Sequence, residues 1–66
     1  MIKYWIIWRY NRLGEREYLY KVAPRIWKTN RSAALRFGDT AVMTASSWLI
    51  GLHQCHSLEY VEELKL

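Results

Sequence analysis

The densest run of reactive side chains in this 66-residue sequence is His53-Gln54-Cys55-His56. Two imidazoles and a thiol within four positions raise two chemistries, metal ligation and nucleophilic catalysis. A structural zinc takes four N or S ligands, drawn from two separated pairs. Here three donors crowd one segment and the sequence has no second pair, so such a site would have to be shared across a symmetric dimer. A Cys–His nucleophile pair also needs an orienting group and an oxyanion hole, and no other motif supplies them. The simpler reading is a helix end, where histidine sits well against the dipole and cysteine packs as a small apolar residue. No metal and no other cofactor is expected.

The carboxylate pairs point the same way. Glu15 and Glu17 flank a turn among cations, and Glu62 and Glu63 lie on a terminal element, so both pairs read as solvated. Phe37-Gly38-Asp39 has a single glycine and sets an anion where a phosphate would bind. A domain this small has little room for a pocket. The residue types speak against an enzyme and for a binding protein.

The elements that must position these groups follow from periodicity. From Ile2 to Tyr10 the even positions are Ile2, Tyr4, Ile6, Trp8 and Tyr10, and the odd ones are Lys3, Trp5, Ile7 and Arg9. This alternation predicts a strand whose even face meets the core and whose mixed odd face is exposed. Asn11-Arg12-Leu13-Gly14 is a turn, and Glu17 to Ala23 a second strand, closing an antiparallel hairpin. Pro24 ends that strand or puts it at an edge. Arg25 to Ser32 is a polar connection carrying Ile26 and Trp27, Ala34 to Phe37 a short third strand, and Asp39 the N-cap of a helix.

Residues 40–54 predict that helix, with Ala41, Val42, Ala45, Trp48, Leu49 and Leu52 on one face. Met43 and Ile50 lie well round the cylinder, and no charge follows the cap. Two explanations stand open: the helix is sunk in the sheet, or Met43 and Ile50 contact a second chain as an additional interface. Leu58, Tyr60, Leu64 and Leu66 alternate with Glu59, Val61, Glu63 and Lys65, which predicts a last strand, although the Leu, Glu and Lys content also suits a short helix. The ββ(β)αβ order makes residues 1–66 a single α+β domain: a small, mostly antiparallel sheet with one helix packed on one face.

Charge is unevenly distributed. Residues 1–36 carry nine cations against Glu15 and Glu17, a balance of +7, while residues 37–66 carry Lys65 against four carboxylates, a balance of −3. That split suggests an anionic partner on one side. Cys55 is the sole cysteine, so no disulfide forms within the chain, and a lone thiol fits a reducing compartment. The opening residues lack a signal-peptide pattern, and the longest uncharged run, Thr40 to Leu58, is too polar to span a membrane. The expected location is the cytosol.

Aromatic rings interleaved with cations suit two partners. On an exposed odd face Trp5, Ile7 and Arg9 would be joined by Arg12 and Arg16 from the turn. Stacked bases and paired phosphates would fit such a face, and so would a protein hot spot rich in Trp and Arg. Composition does not separate them, nor does it separate either from Trp5 and Ile7 simply packing under the helix.

One resemblance bears on the choice. The order of a hairpin, Trp27-Lys28-Thr29, Ala34-Leu35-Arg36-Phe37, Asp39 opening a helix and a closing strand resembles many small proteins of phages and other mobile elements. It covers residues 2–64 loosely. This chain departs from the pattern at Met43, where alanine is usual, and in the uncharged helix, which favours an added contact surface. Such proteins are often accessory host-takeover factors, and some resemble anti-CRISPR inhibitors. The resemblance implies a phage-type, non-enzymatic protein-binding inhibitor of a host defence complex, acting in the host cytosol on a protein or ribonucleoprotein surface that handles nucleic acid. The alternative is a small nucleic-acid-binding protein using the same face, and a third reading is a homo-oligomer built through Met43 and Ile50.

Overall fold

A computed structural model describes residues 1–64. The chain forms β1 (Ile2–Tyr10), β2 (Arg16–Lys21), β3 (Ile26–Lys28), a short 3-10 turn (Arg31–Ala33), α1 (Asp39–Gly51) and β4 (Ser57–Glu63). The four strands make one antiparallel sheet in the order β3-β2-β1-β4. The α+β architecture with a single helix on one face is therefore the observed one. The last element is a strand, but a shorter one than its alternation suggested. Leu64 lies exposed beyond its end, and Lys65 and Leu66 fall outside the described residues.

The hairpin turn is built by Asn11. Its side-chain carbonyl accepts from the backbone N–H groups of Leu13 (2.9 Å) and Glu15 (3.0 Å). Gly14 takes φ +77°, a conformation that costs other residues about 1–2 kcal/mol. The strands then pair only from Trp8–Tyr10 to Arg16–Tyr18. Beyond that they diverge, and residues 35–37 fill the gap. Leu35 donates to the Leu19 carbonyl (2.9 Å), while Phe37 exchanges two backbone hydrogen bonds with Trp5 (2.7 and 2.8 Å). The expected third strand at Ala34–Phe37 is thus a wedge. Its alternation is real, since Leu35 and Phe37 face the core, but it bonds β2 through one residue and β1 through another, so no ladder runs along it. The third strand is instead Ile26–Lys28, in the segment whose polarity predicted a connection.

The core joins Ile7 and Leu19 of the hairpin to Phe37 and to Val42, Ala45 and Leu49 of α1. Trp5, Trp27, Leu35 and Leu58 pack round it. Burying one Ile or Leu contributes about 1.5–3 kcal/mol, so a core of this size leaves little reserve. Its position overturns the expected orientation of β1. The odd residues face the helix, and Ile7 is wholly buried. The even, more apolar face is the open one. Alternation defines two faces, but which one α1 covers depends on the side by which the β3–α1 connection returns.

Two further expectations fail at the helix ends. The N-cap is Gly38 rather than Asp39, and no side chain caps the helix. The Asp39 carboxylate, one residue further on, accepts from the Trp5 indole N–H (2.8 Å) and still lies favourably in the positive first turn. The helix also stops at Gly51 rather than 54. His53 donates to the Ile50 carbonyl and Gln54 to that of Leu49, both at 2.9 Å, a Schellman pair that turns the chain out of the helix. His53 is the residue at positive φ (57°), the place where glycine is normal. His53→Gly is therefore expected to raise unfolding free energy by about 1 kcal/mol, measured by urea denaturation.

Candidate functional site

The sheet face turned away from α1 concentrates the aromatic and cationic residues. Register fixes its membership. Trp8 lies opposite Tyr18 and Ser57, Ile6 opposite Glu59, Tyr4 opposite Val61, and Tyr18 opposite Lys28. The 3-10 turn adds Arg31 and the wedge Arg36 above Tyr4 and Ile6, around a cleft of about 260 Å3 that also holds Ser32 and Glu63.

Each cation covers a ring. The Arg16 guanidinium lies 4.0 Å from the Trp8 ring centre, Arg36 4.6 Å from Tyr4, and Arg31 5.8 Å from Tyr18. The Lys28 ammonium stands 4.0 Å from Tyr20. At sites of this exposure a cation–π contact is worth about 0.5–1 kcal/mol, enough to hold a side chain in place. These contacts close the even face of β1 without a second layer: Ile6 and Tyr18 are buried there although no helix covers them.

Carboxylates of β4 anchor the cations. Arg31 and Glu59 form a bidentate pair at 2.5 and 3.2 Å, and Arg16 approaches the same carboxylate at 4.0 Å. Glu63 accepts from the Tyr4 hydroxyl (2.5 Å) and stands 3.8 Å from Arg36. The hydrogen bonds from Arg31 hold the Glu59 carboxyl below its ordinary value of 4.5, aided by the charges of Arg31 and Arg16 and opposed by partial burial. The Tyr4 hydroxyl is pushed up, first by its hydrogen bond to Glu63.

A folded-state carboxyl held below its unfolded value stabilises the fold above that unfolded value, and the stability goes as pH falls through the folded one. Thermal melting is thus expected to be flat from pH 7 to about 5 and to decline below about 4.5. Glu59→Gln should flatten part of that decline, as followed by circular dichroism.

The residues expected to form one contact face are divided. Ile7 is core and cannot touch a partner. Trp5 is half-buried on the helix face, tied to Asp39 and tilted against Tyr60 at 5.0 Å. Arg9, on that same face, lies 4.1 Å over Trp27, pairs with Glu17 (2.6 Å) and donates to Gln54 (2.8 Å), so its charge is spent within the fold. Arg12 is exposed in the turn. Arg16 alone of the five belongs to the open face. Met43 and Ile50 are 62% and 64% exposed, so α1 is covered on its sheet side only and is not sunk.

The residues that sequence reasoning missed are Tyr4, Trp8, Tyr18, Tyr20, Lys28, Arg31 and Arg36. Their signal was the density of Tyr and Trp on one strand face. It was assigned to the core because these rings bury well, although arginine covers them equally well.

The loop after α1 binds its own groups together. His56 donates from Nδ1 to the Gln54 carbonyl (2.8 Å), so Nε2 of the neutral ring accepts from the Ser46 hydroxyl (2.7 Å). This is the hydrogen-bond order of a nucleophile and base, but Ser46 lies within α1, where its backbone N–H belongs to the helix ladder and offers no oxyanion donor. Cys55 is exposed, and among the described residues no three His, Cys, Asp or Glu side chains converge to hold a metal ion. Among the described residues no helix is long and apolar enough to cross a membrane. No family model matches the chain, and no curated protein or solved structure was found that matches it.

Proposed function

We propose that this protein is a phage-type, non-enzymatic inhibitor that docks on a host defence complex through the open face of its sheet. It acts in the host cytosol and occludes a surface that handles nucleic acid, as anti-CRISPR proteins do. The observation that carries the reading is the set of rings already capped by the chain's own cations: Trp8 by Arg16, Tyr4 by Arg36, Tyr20 by Lys28. A nucleobase could stack there only by displacing a cation. A protein surface needs no such displacement, because the guanidinium edges remain free to meet carboxylates while the stacked rings supply a rigid apolar centre. Met43 and Ile50, on the far side of the molecule, form a second apolar patch for the same complex or for a second copy.

A nucleic-acid reading keeps one specific support. Tyr10 is 62% exposed and touches Trp8 edge-on (5.2 Å), and among the described residues no cation stacks over it, so one ring is open to a base. Salt separates the readings. Three phosphate contacts would lower affinity by about thirtyfold between 0.1 and 0.5 M salt, whereas a protein interface with an apolar centre should change only a few fold. The experiment is capture from nuclease-treated bacterial lysate with mass spectrometry, repeated across that salt range. One complex retained throughout supports the inhibitor. Loss of every partner on nuclease treatment refutes it and favours the nucleic-acid binder.

A further inference from the structure

The two edges of the sheet are not alike. β3 is three residues long and meets β2 across an irregularity between Leu19 and Lys21, so that edge is blunted. The other edge is β4, seven residues long, without proline or glycine and paired with β1 in unbroken register from Ile2–Glu63 to Trp8–Ser57. Trp5 spends both its N–H and its C=O on Phe37, on the β2 side of β1. Trp5 and Tyr60 are therefore a non-hydrogen-bonded pair, and the N–H and C=O of Tyr60 point out of the sheet. With a period of two, those of Leu58 and Glu62 do the same. Among the described residues no hydrogen bond reaches this outer row.

The carboxylates of β4 are met from within the chain. Glu59 is held by Arg31 at 2.5 and 3.2 Å, Glu63 stands 3.8 Å from Arg36, and Glu62 lies opposite Lys3 on β1. A second copy of the strand thus meets no unbalanced charge at this edge. We propose that two copies pair β4 against β4, antiparallel, about a two-fold axis at Tyr60, so that two four-stranded sheets become one.

Charge selects that axis. With Tyr60 opposite itself, Glu59 faces Val61 of the second copy, Leu58 faces Glu62 and Ser57 faces Glu63. The outward N–H and C=O groups of Leu58, Tyr60 and Glu62 then all find partners, and no carboxylate stands directly opposite another. An axis at Glu59 would set that residue against itself, and one at Val61 would set Glu59 against Glu63. Axes further along β4 shorten the pairing. The two Glu59 side chains come diagonal to each other, each held by its own Arg31.

A paired strand alone is a narrow contact, and α1 supplies a second layer. Leu58 and Ile50 border a hollow of about 580 Å3 between the C-terminal half of α1 and the start of β4. Ile50 is 64% exposed, Met43 on the same side of the helix 62%, and Tyr60 43%. A second copy brings the same apolar set across the seam, which accounts for a helix side that the chain itself leaves uncovered. The seam uses the outer edge and not the capped rings, so it can fail without the open face failing, and the reverse.

Sedimentation equilibrium of the whole chain should show a monomer–dimer equilibrium at micromolar concentration. Amide exchange at Leu58, Tyr60 and Glu62 should slow as concentration rises. In a mixture of isotope-labelled and unlabelled chains, intermolecular NOEs should join the α-protons of Glu59 and Val61, which approach across a non-hydrogen-bonded pair. A chain made by chemical ligation at Cys55, with an N-methyl group on Tyr60, keeps every side chain and should dimerise at least about tenfold more weakly. Val61→Glu should weaken the dimer and Val61→Lys strengthen it, each by about three- to tenfold, because two pairs with Glu59 form at once. Both variants should keep the native circular dichroism spectrum. A chain that stays monomeric to millimolar concentration, a dimer indifferent to the N-methyl group, equal affinity of the two Val61 variants, or intermolecular contacts confined to α1 would overturn the proposal.

Discussion

Ile7→Ala should destabilise the fold by about 2–5 kcal/mol in urea denaturation. Ile7 is 0% exposed at the centre of the cluster that joins β1 to Leu19 and Leu49, and the truncation leaves a cavity that a layer this thin closes poorly. A domain of this size has a total stability near the lower end of about 5–15 kcal/mol, so the variant is expected to be substantially unfolded near 37 °C. The double change Trp5→Ala with Arg9→Ala should behave similarly, though less severely. It removes an indole packed against the core and a guanidinium that links Trp27, Glu17 and Gln54. If both variants keep the native melting temperature, the odd face of β1 is not the core face.

Trp8→Ala with Arg16→Ala should have the opposite profile. The pair lies on the open face, away from Ile7 and Leu19, and its stacking is one exposed contact worth about 0.5–1 kcal/mol. Melting temperature should fall by only a few degrees. Affinity for the captured partner should fall by about a hundredfold, because Trp and Arg at the centre of an interface are the residues that carry binding energy. The loss should be less than the product of the two single changes, since the side chains touch. Retained affinity in a folded double variant would remove the open face from the proposed function.

The cations of the aromatic face are tied down within the fold. Arg16 and Arg31 share Glu59, and Arg36 stands near Glu63, so the cations are held at fixed positions by carboxylates on the neighbouring strand. Exposed ion pairs of this kind contribute little to stability. Their effect is to hold the guanidinium planes over the rings, and on the proposed function that lowers the ordering cost of docking.

Local physics made much of this fold readable from the sequence. The alternation of Ile2 to Tyr10 dictated a strand, Asn11 to Gly14 a turn, and the 3.6-residue spacing of Val42, Ala45 and Leu49 a helix with one buried stripe. Those features depend on neighbours in the chain; His53 to His56 fit less well as the helix end, since the helix stops at Gly51 and Cys55 is exposed rather than packed. The tertiary structure alone decided which face of β1 that helix would cover, because both faces offered enough apolar surface and only the path of the chain after β3 distinguishes them. It also decided that residues 35–37 bridge β2 and β1 as a wedge, since the divergence of the hairpin is a property of the folded sheet. The candidate site followed from those two facts. Once Ile7, Trp5 and Arg9 turned inward, Trp8 and Tyr4 turned outward. Arg31 and Arg36 reached Tyr18 and Tyr4 through the segment between β3 and α1, a meeting that no local pattern in the sequence encodes.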